Sequence, residues 1–134
     1  MAILFWNKFE KYYPFQLLGV EFSGIPMSIA IQDEGFRRGF NCNVLIYRKT
    51  KESQTNKNLI EGYINTEKII YIDDILSSGK SLEKVLFELN KQQLKIFHSF
   101  YIVNFERLDC KLDIKNYSIF LLQDFGLPEF ELVD

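Results

Sequence analysis

The segment that most constrains this chain is IIYIDDILSSGKS, residues 69–81. Four apolar residues run into two adjacent carboxylates, then into hydroxyl residues around one glycine. Leu82, Val85, Leu86 and Leu89 follow at helical spacing, which predicts an amphipathic helix over 81–90. An apolar run without polar alternation reads as a strand covered on both faces. The two acids at its end repel and lose solvation, so a cation or hydroxyl groups should offset them. Residues 77–81 open the helix, where backbone N–H groups, the helix dipole and three hydroxyls form an anion cradle. Gly79 lets the backbone approach the anion closely. Carboxylates beside such a cradle suit a sugar phosphate: the acids accept from ribose hydroxyls and the cradle holds the phosphate. The plainer alternative is an acidic turn followed by an ordinary serine N-cap. A Walker A loop is excluded, because the glycine it needs five residues before Gly79 is Asp74.

The rest of the chain extends this unit. Residues 15–20 (FQLLGV), 44–47 (VLIY), 97–103 (FHSFYIV) and 117–122 (YSIFLL) read as further strands. A helix is expected from Pro26, carrying Ile29, Ala30 and Ile31 inward and stopping near Gly35. Strands separated by helical patterns indicate an α/β fold with a largely parallel sheet flanked by helices. Ligands of such sheets bind beyond the carboxyl ends of the strands, here the loops after Val20, Tyr47, Ile72 and Val103. Residues 49–58 lack any large apolar side chain and read as a mobile surface loop.

Composition excludes several classes. A chain of 134 residues, 47% hydrophobic, is expected to form one domain over residues 1–134 with a real core. Sixteen Lys and Arg against eighteen Asp and Glu remove the simplest electrostatic case for nucleic-acid binding. Cys42 and Cys110 are too few and too far apart for a disulfide framework or zinc site, and read as reduced thiols. The single histidine, His98, sits in an apolar run and reads as a core residue rather than a catalytic base. Residues 2–6 lack the features of a signal peptide, and no stretch is long and apolar enough to span a bilayer, so a cytoplasmic protein is expected.

With those residues in view, the 69–81 segment resembles the phosphoribosyl-pyrophosphate (PRPP) signature of type I phosphoribosyltransferases. GVEFSGIPMSIAI (residues 19–31) is similar to the pyrophosphate loop and first helix of the orotate branch. YRKTKESQTNKNLIEG (47–62) is similar to its strand, flexible catalytic loop and return. VNFERLD (103–109) and SIFLLQDFG (118–126) resemble the later strand ends. The resemblance implies a type I phosphoribosyltransferase core and a transferase that moves the phosphoribosyl group of PRPP to a nitrogenous base. It implies that Asp73 and Asp74 bind the ribose hydroxyls and that Ser77, Ser78, Gly79, Lys80 and Ser81 bind the 5′-phosphate. Glu21, Phe22, Ser23 and Gly24 would bind pyrophosphate together with Mg²⁺, the ion being held mainly by PRPP. Arg48 and Lys49, with Lys51, would supply cations to the pyrophosphate, and a homodimer is implied. In such a reaction the C1–O bond breaks to an oxocarbenium-like centre while cations stabilise the departing pyrophosphate.

The chain departs from the pattern at three places. An ungapped reading puts Glu52, Gln54 and Thr55 where the family's flexible loop carries Lys, His or Tyr, and Gly, leaving Lys51 or Lys57 as substitutes. Asn104 and Phe105 follow the fourth strand where Asp-Arg is usual, with Arg107 displaced. Only residues 1–12 precede the core, so most of the base-binding hood of orotate enzymes is not expected. Two alternatives to catalysis therefore remain: a module that senses PRPP or a nucleotide without turnover, and an interaction subunit of a larger assembly. Phe5, Trp6, Phe9, Tyr12, Tyr13, Phe125 and Phe130 serve the latter as docking surface, or else they fill a small core.

Overall fold

The computed structural model describes residues 1–49 and 59–126. The chain begins with a helix, α1 (Ala2–Phe9), followed by a 3-10 turn at Glu10–Tyr12. Next come β1 (Gln16–Val20), α2 (Gly24–Arg37), β2 (Val44–Tyr47) and β3 (Ile60–Glu61). The second half runs β4 (Ile69–Ile72), β5 (Ile75–Leu76), α3 (Lys80–Asn90), β6 (Ile96–Asn104) and β7 (Asn116–Leu121). A 3-10 turn at Leu122–Phe125 follows.

These strands form one seven-stranded sheet. β1 lies between β2 and β4, β4 pairs with β6, and β6 with β7, all in parallel. Only β3 runs antiparallel, on the outer edge of β2. β4 and β5 occupy successive stretches of the same β6 edge, with Ile69–Ile72 opposite residues 96–100 and Ile75 opposite Val103. The two residues between them, Asp73 and Asp74, therefore sit in an interruption of one nearly continuous edge. The chain leaves β1 toward β2 and later returns to its other side as β4. Strand order thus reverses between β1 and β4, and the loops after them diverge to leave a crevice.

Helices cover both faces, and side chains alternate between them as the pleat requires. Leu17, Ile70, Ile72 and Phe100 pack with Phe5, Trp6, Phe9, Met27 and Ile31 of α1 and α2. Leu18, Val20, Ile69, Tyr71 and Tyr101 face Leu82, Val85 and Leu89 of α3. Full burial on both faces explains the unbroken apolar sequence of β4 and of residues 17–20 in β1. Among the described residues no helix is long and apolar enough to cross a membrane.

Several expectations are corrected. The second helix starts at Gly24, placing Pro26 third, still within the first turn, where its missing N–H costs nothing. Ile29 and Ala30 face solvent; the buried positions are Met27, Ser28, Ile31 and Gly35, the true 3.6-residue stripe. No serine caps α3: its N-cap is Gly79, in a left-handed conformation with φ +83°. β6 and β7 are joined without a helix, and β5 lies inside what reads as a loop. The N-terminal aromatics divide. Phe5, Trp6 and Phe9 are fully buried, so they are core; Tyr12 and Tyr13 are half-buried, Phe125 is exposed, and Phe130 lies outside the described residues. His98 is buried against Phe9, edge to face at 4.9 Å, on the α1 side of the sheet. Burial lowers its pKa, as befits a neutral core histidine.

Trp6 locks α1 down. Its ring stacks on Phe40 at 5.1 Å, and its Nε1 donates to the Ile31 carbonyl oxygen at 2.7 Å. Trp6→Ala leaves a cavity and removes the bond to α2, and an expected loss of about 3–5 kcal/mol is readable by urea denaturation. A loss under about 1 kcal/mol would mean that α1 is not part of the core.

Candidate functional site

The crevice at the reversal point is built by a close backbone approach. A Cβ on Gly24 would come within 2.3 Å of the Ile72 carbonyl oxygen, so only glycine lets the start of α2 lie on the end of β4. That contact holds the loop after β1 against the end of β4, one residue before Asp73. Glu21 is half-buried, and the Glu21–Phe22 peptide is cis. The Glu21 N–H donates to the Tyr47 carbonyl oxygen, and Glu21 Oε2 accepts from the Lys49 N–H, both at 3.0 Å. Phe22 is exposed and Ser23 half-buried.

Asp73 is 7% exposed, an unusual place for a carboxylate. Its N–H continues the sheet by donating to the Phe100 carbonyl oxygen at 3.1 Å. The Asp74 carbonyl oxygen accepts from the N–H groups of Ile102 and Val103. The backbone of both acids is thus fixed by β6. Asp73 Oδ1 accepts from the Asp74 N–H at 2.9 Å, and Oδ2 accepts from the Tyr71 hydroxyl at 3.1 Å. Asp74, half-buried, accepts at Oδ1 from the Ile75 N–H at 2.9 Å. The offset expected for the acid pair is therefore made by backbone N–H groups and one phenol.

Tyr71 escaped the sequence reading, because it counts as apolar within IIYI. Its position two residues before Asp73 in a strand was the available signal, since such residues share a face. Burial dominates the balance at Asp73 and pushes its pKa up to about 6, although the two hydrogen bonds favour the anion.

After β5 the chain turns through Ser77, Ser78 and Gly79 into α3. With Lys80, Ser81 and Leu82 they line a cavity of about 70 Å³ whose floor is Tyr71, Asp73, Leu76 and Tyr101. The first N–H groups of α3 have no partner within the helix and face this end. Gly79 combines its positive φ with contact to the Leu112 side chain, so a side chain there is disfavoured twice.

The structure brings Glu21, the Lys49 backbone, Asp73, Asp74 and residues 77–81 to the carboxyl ends of β1, β2, β4 and β5. It does not aim Arg48 into that crevice: its guanidinium pairs with Glu61 of β3 at 3.0 Å. Both partners are substantially exposed, and such pairs contribute about 0–1 kcal/mol. Lys51 and the loop positions Glu52, Gln54, Thr55 and Lys57 lie outside the described residues. Among those described, no three His, Cys, Asp or Glu groups converge as a metal cage.

The raised pKa of Asp73 has a stability consequence. Below about pH 4 the carboxyl is neutral in folded and unfolded chains alike. Between there and about pH 6 the unfolded chain releases a proton that the folded one keeps, so stability falls as pH rises. Above about pH 6 the whole cost stands, about 3 kcal/mol from a shift of about two pKa units. Asp73→Asn is therefore expected to raise the melting temperature at pH 7.5 and to gain far less at pH 4. Equal effects at both values would contradict the burial argument.

Comparison with known proteins follows the same lines. No family model and no curated protein sequence matches the chain. Solved structures do. The Mycobacterium tuberculosis H37Rv orotate phosphoribosyltransferase, crystallised with PRPP, superposes over 93% of this chain and 73% of its own, with TM-score 0.73 and 17% identity. Orotate phosphoribosyltransferase from Aeropyrum pernix matches 81% of this chain and 61% of its own, with TM-score 0.66 and 16% identity. Adenine phosphoribosyltransferase from Saccharomyces cerevisiae covers 88% and 75%, with TM-score 0.69 and 16% identity. The chain has the type I phosphoribosyltransferase fold.

Proposed function

We propose that the protein binds PRPP with Mg²⁺ at the β1–β4 crevice and transfers its phosphoribosyl group to a nitrogenous base, releasing pyrophosphate. One observation carries the reading. An acid pair locked by β6, with Asp73 buried and Asp74 half-buried, precedes a helix N-terminus lined with hydroxyls, and the glycine contact sets the loop after β1 against the end of β4. Carboxylates accept from a ribose 2′- and 3′-hydroxyl pair, whereas an anion site alone would not need them. The α3 N-terminus, with Ser77, Ser78 and Ser81, holds the 5′-phosphate. On this reading residues 21–24 take the pyrophosphate on C1.

The donor set suits Mg²⁺. Glu21, Asp73 and Asp74 carry hard oxygens that do not converge as a cage among the described residues, which suits an ion held mainly by substrate phosphates. When bound, the ion neutralises charge on the leaving pyrophosphate. This chain's own residues do the rest. Asp73 and Asp74 fix the ribose so that C1 meets the incoming base in line. The half-buried crevice limits water at the ribosyl centre. Arg48 and Lys49 add positive charge at the leaving group once Arg48 exchanges Glu61 for pyrophosphate, an exchange the weakness of that pair allows. A homodimer belongs to this proposal, as does the single-domain organisation. The acceptor base is left open, since enzymes of both orotate and adenine share the fold.

The Arg48–Glu61 pair also favours a second reading. With that cation held away, the protein would bind PRPP as a sensor without turnover. Titration calorimetry with PRPP and Mg²⁺ tests the shared part: binding is expected, with a loss of at least tenfold in Asp73→Asn/Asp74→Asn. No binding, or binding unchanged in that variant, would overturn both readings. Pyrophosphate release with a panel of purine and pyrimidine bases then separates enzyme from sensor. Turnover with one base supports the transferase; binding without release from any supports the sensor.

A further inference from the structure

We infer that Tyr101 contributes a hydrogen-bond donor to the phosphate cradle. This rests on the phosphoribosyl reading above and extends it to a residue outside the loop. Tyr101 is 1% exposed, on the α3 face of β6. Its hydroxyl is the single buried side-chain polar atom left without a hydrogen-bond partner among the described residues. Ser99 lies near enough to lower its pKa, yet Oη completes no bond with it, and Ser99 Oγ is directed to the Lys115 carbonyl oxygen at 3.5 Å. Leaving a buried hydroxyl unmet is costly, so the group should have a purpose.

Its surroundings indicate that purpose. Tyr101 lines the same cavity as Ser77, Ser78, Lys80 and Ser81. The cavity holds about 70 Å³, more than a single water requires and suited to a small anionic group. The neighbouring phenol, Tyr71, is 5.9 Å away ring to ring and is already committed to Asp73. Asp73 also lines the cavity, its oxygens accepting from the Tyr71 hydroxyl and the Asp74 N–H, and the Tyr101 hydroxyl makes no bond to it. Burial raises the Tyr101 pKa, so the phenol remains protonated at neutral pH and can only gain by donating. A phosphoryl oxygen held by the α3 N-terminus is the acceptor that fits. Tyr101 would thus close the cradle from the sheet side, opposite the serines, and favour a phosphorylated sugar over a bare one.

Tyr101→Phe removes the hydroxyl and little else. The ligand-free variant is expected to melt at the same temperature as the parent or higher, because an unmet polar group has been deleted. Affinity for ribose 5-phosphate and for PRPP with Mg²⁺, measured by calorimetry, is expected to fall about tenfold. Affinity for pyrophosphate with Mg²⁺, which needs only the first loop, is expected to stay within twofold. Unchanged affinity for both phosphorylated sugars would overturn the inference. So would a drop in melting temperature with all three ligands weakened alike, the signature of a merely structural hydroxyl. Failure of the parent protein to bind any of the three would overturn the phosphoribosyl reading together with this one. Loss confined to the variant's sugar phosphates supports both.

Discussion

A hydrogen atom's width decides the geometry of this molecule. The Ile72 carbonyl leaves no room for a Cβ on Gly24, and that contact brings the loop after β1 against the end of β4. β1 and β4 are the neighbours between which strand order reverses. Everything gathered in the crevice depends on those two strands ending side by side. Ser28, one turn into α2, donates its hydroxyl to the Gly24 carbonyl oxygen at 2.7 Å and holds the turn closed. A methyl group at position 24 would push the start of α2 off the end of β4 and so part the loop after β1 from Asp73 and Asp74.

The second constraint is electrostatic and works against stability. Burying Asp73 raises the free energy of the folded state, and the phenol of Tyr71 with the Asp74 N–H offsets only part of that cost. A carboxylate with few competing water molecules is a strong, oriented acceptor. On the proposed reading, the same low-dielectric setting that penalises the charged carboxylate would strengthen its bonds to ribose hydroxyls. The neighbouring cradle follows similar logic, with Tyr101 buried and unsatisfied beside it. A buried carboxylate and an unsatisfied phenol on one side of the sheet are, among the described residues, the polar groups that cost the fold most, as expected where function displaces stability.

Much of this was legible in the sequence. The strands Val44–Tyr47 and Ile69–Ile72 stand where their apolar runs begin and end; the second is buried on both faces and has no polar residue to blur its limits. The acid pair at a strand end and the loop opening α3 were legible for the same reason. Other elements were not. α1 reads AILFWNKF, with exposed Ile3 and Leu4 beside buried Phe5 and Trp6, so hydrophobicity alone does not reveal its inner face. β5 contributes two residues and is defined by its pairing with Val103 and Asn104 rather than by its own composition. Ile29 and Ala30 adjoin buried Ile31 in sequence but lie off the helical stripe that Met27, Ile31 and Gly35 form. The Arg48–Glu61 pair joins residues on either side of a long polar segment, and no local pattern encodes it. Tyr71 and Tyr101 matter through their hydroxyls, which a reading by hydrophobicity discards.

The central claim is that the loop after β1 and the loop after β4 form one phosphoribosyl site. Amide hydrogen exchange with and without PRPP and Mg²⁺ tests it most directly, since each loop reports separately. Slowed exchange is expected together in residues 19–25 and 73–82, with the α1 aromatic cluster unchanged. Protection of one loop alone, or of neither while PRPP binds, would contradict the account.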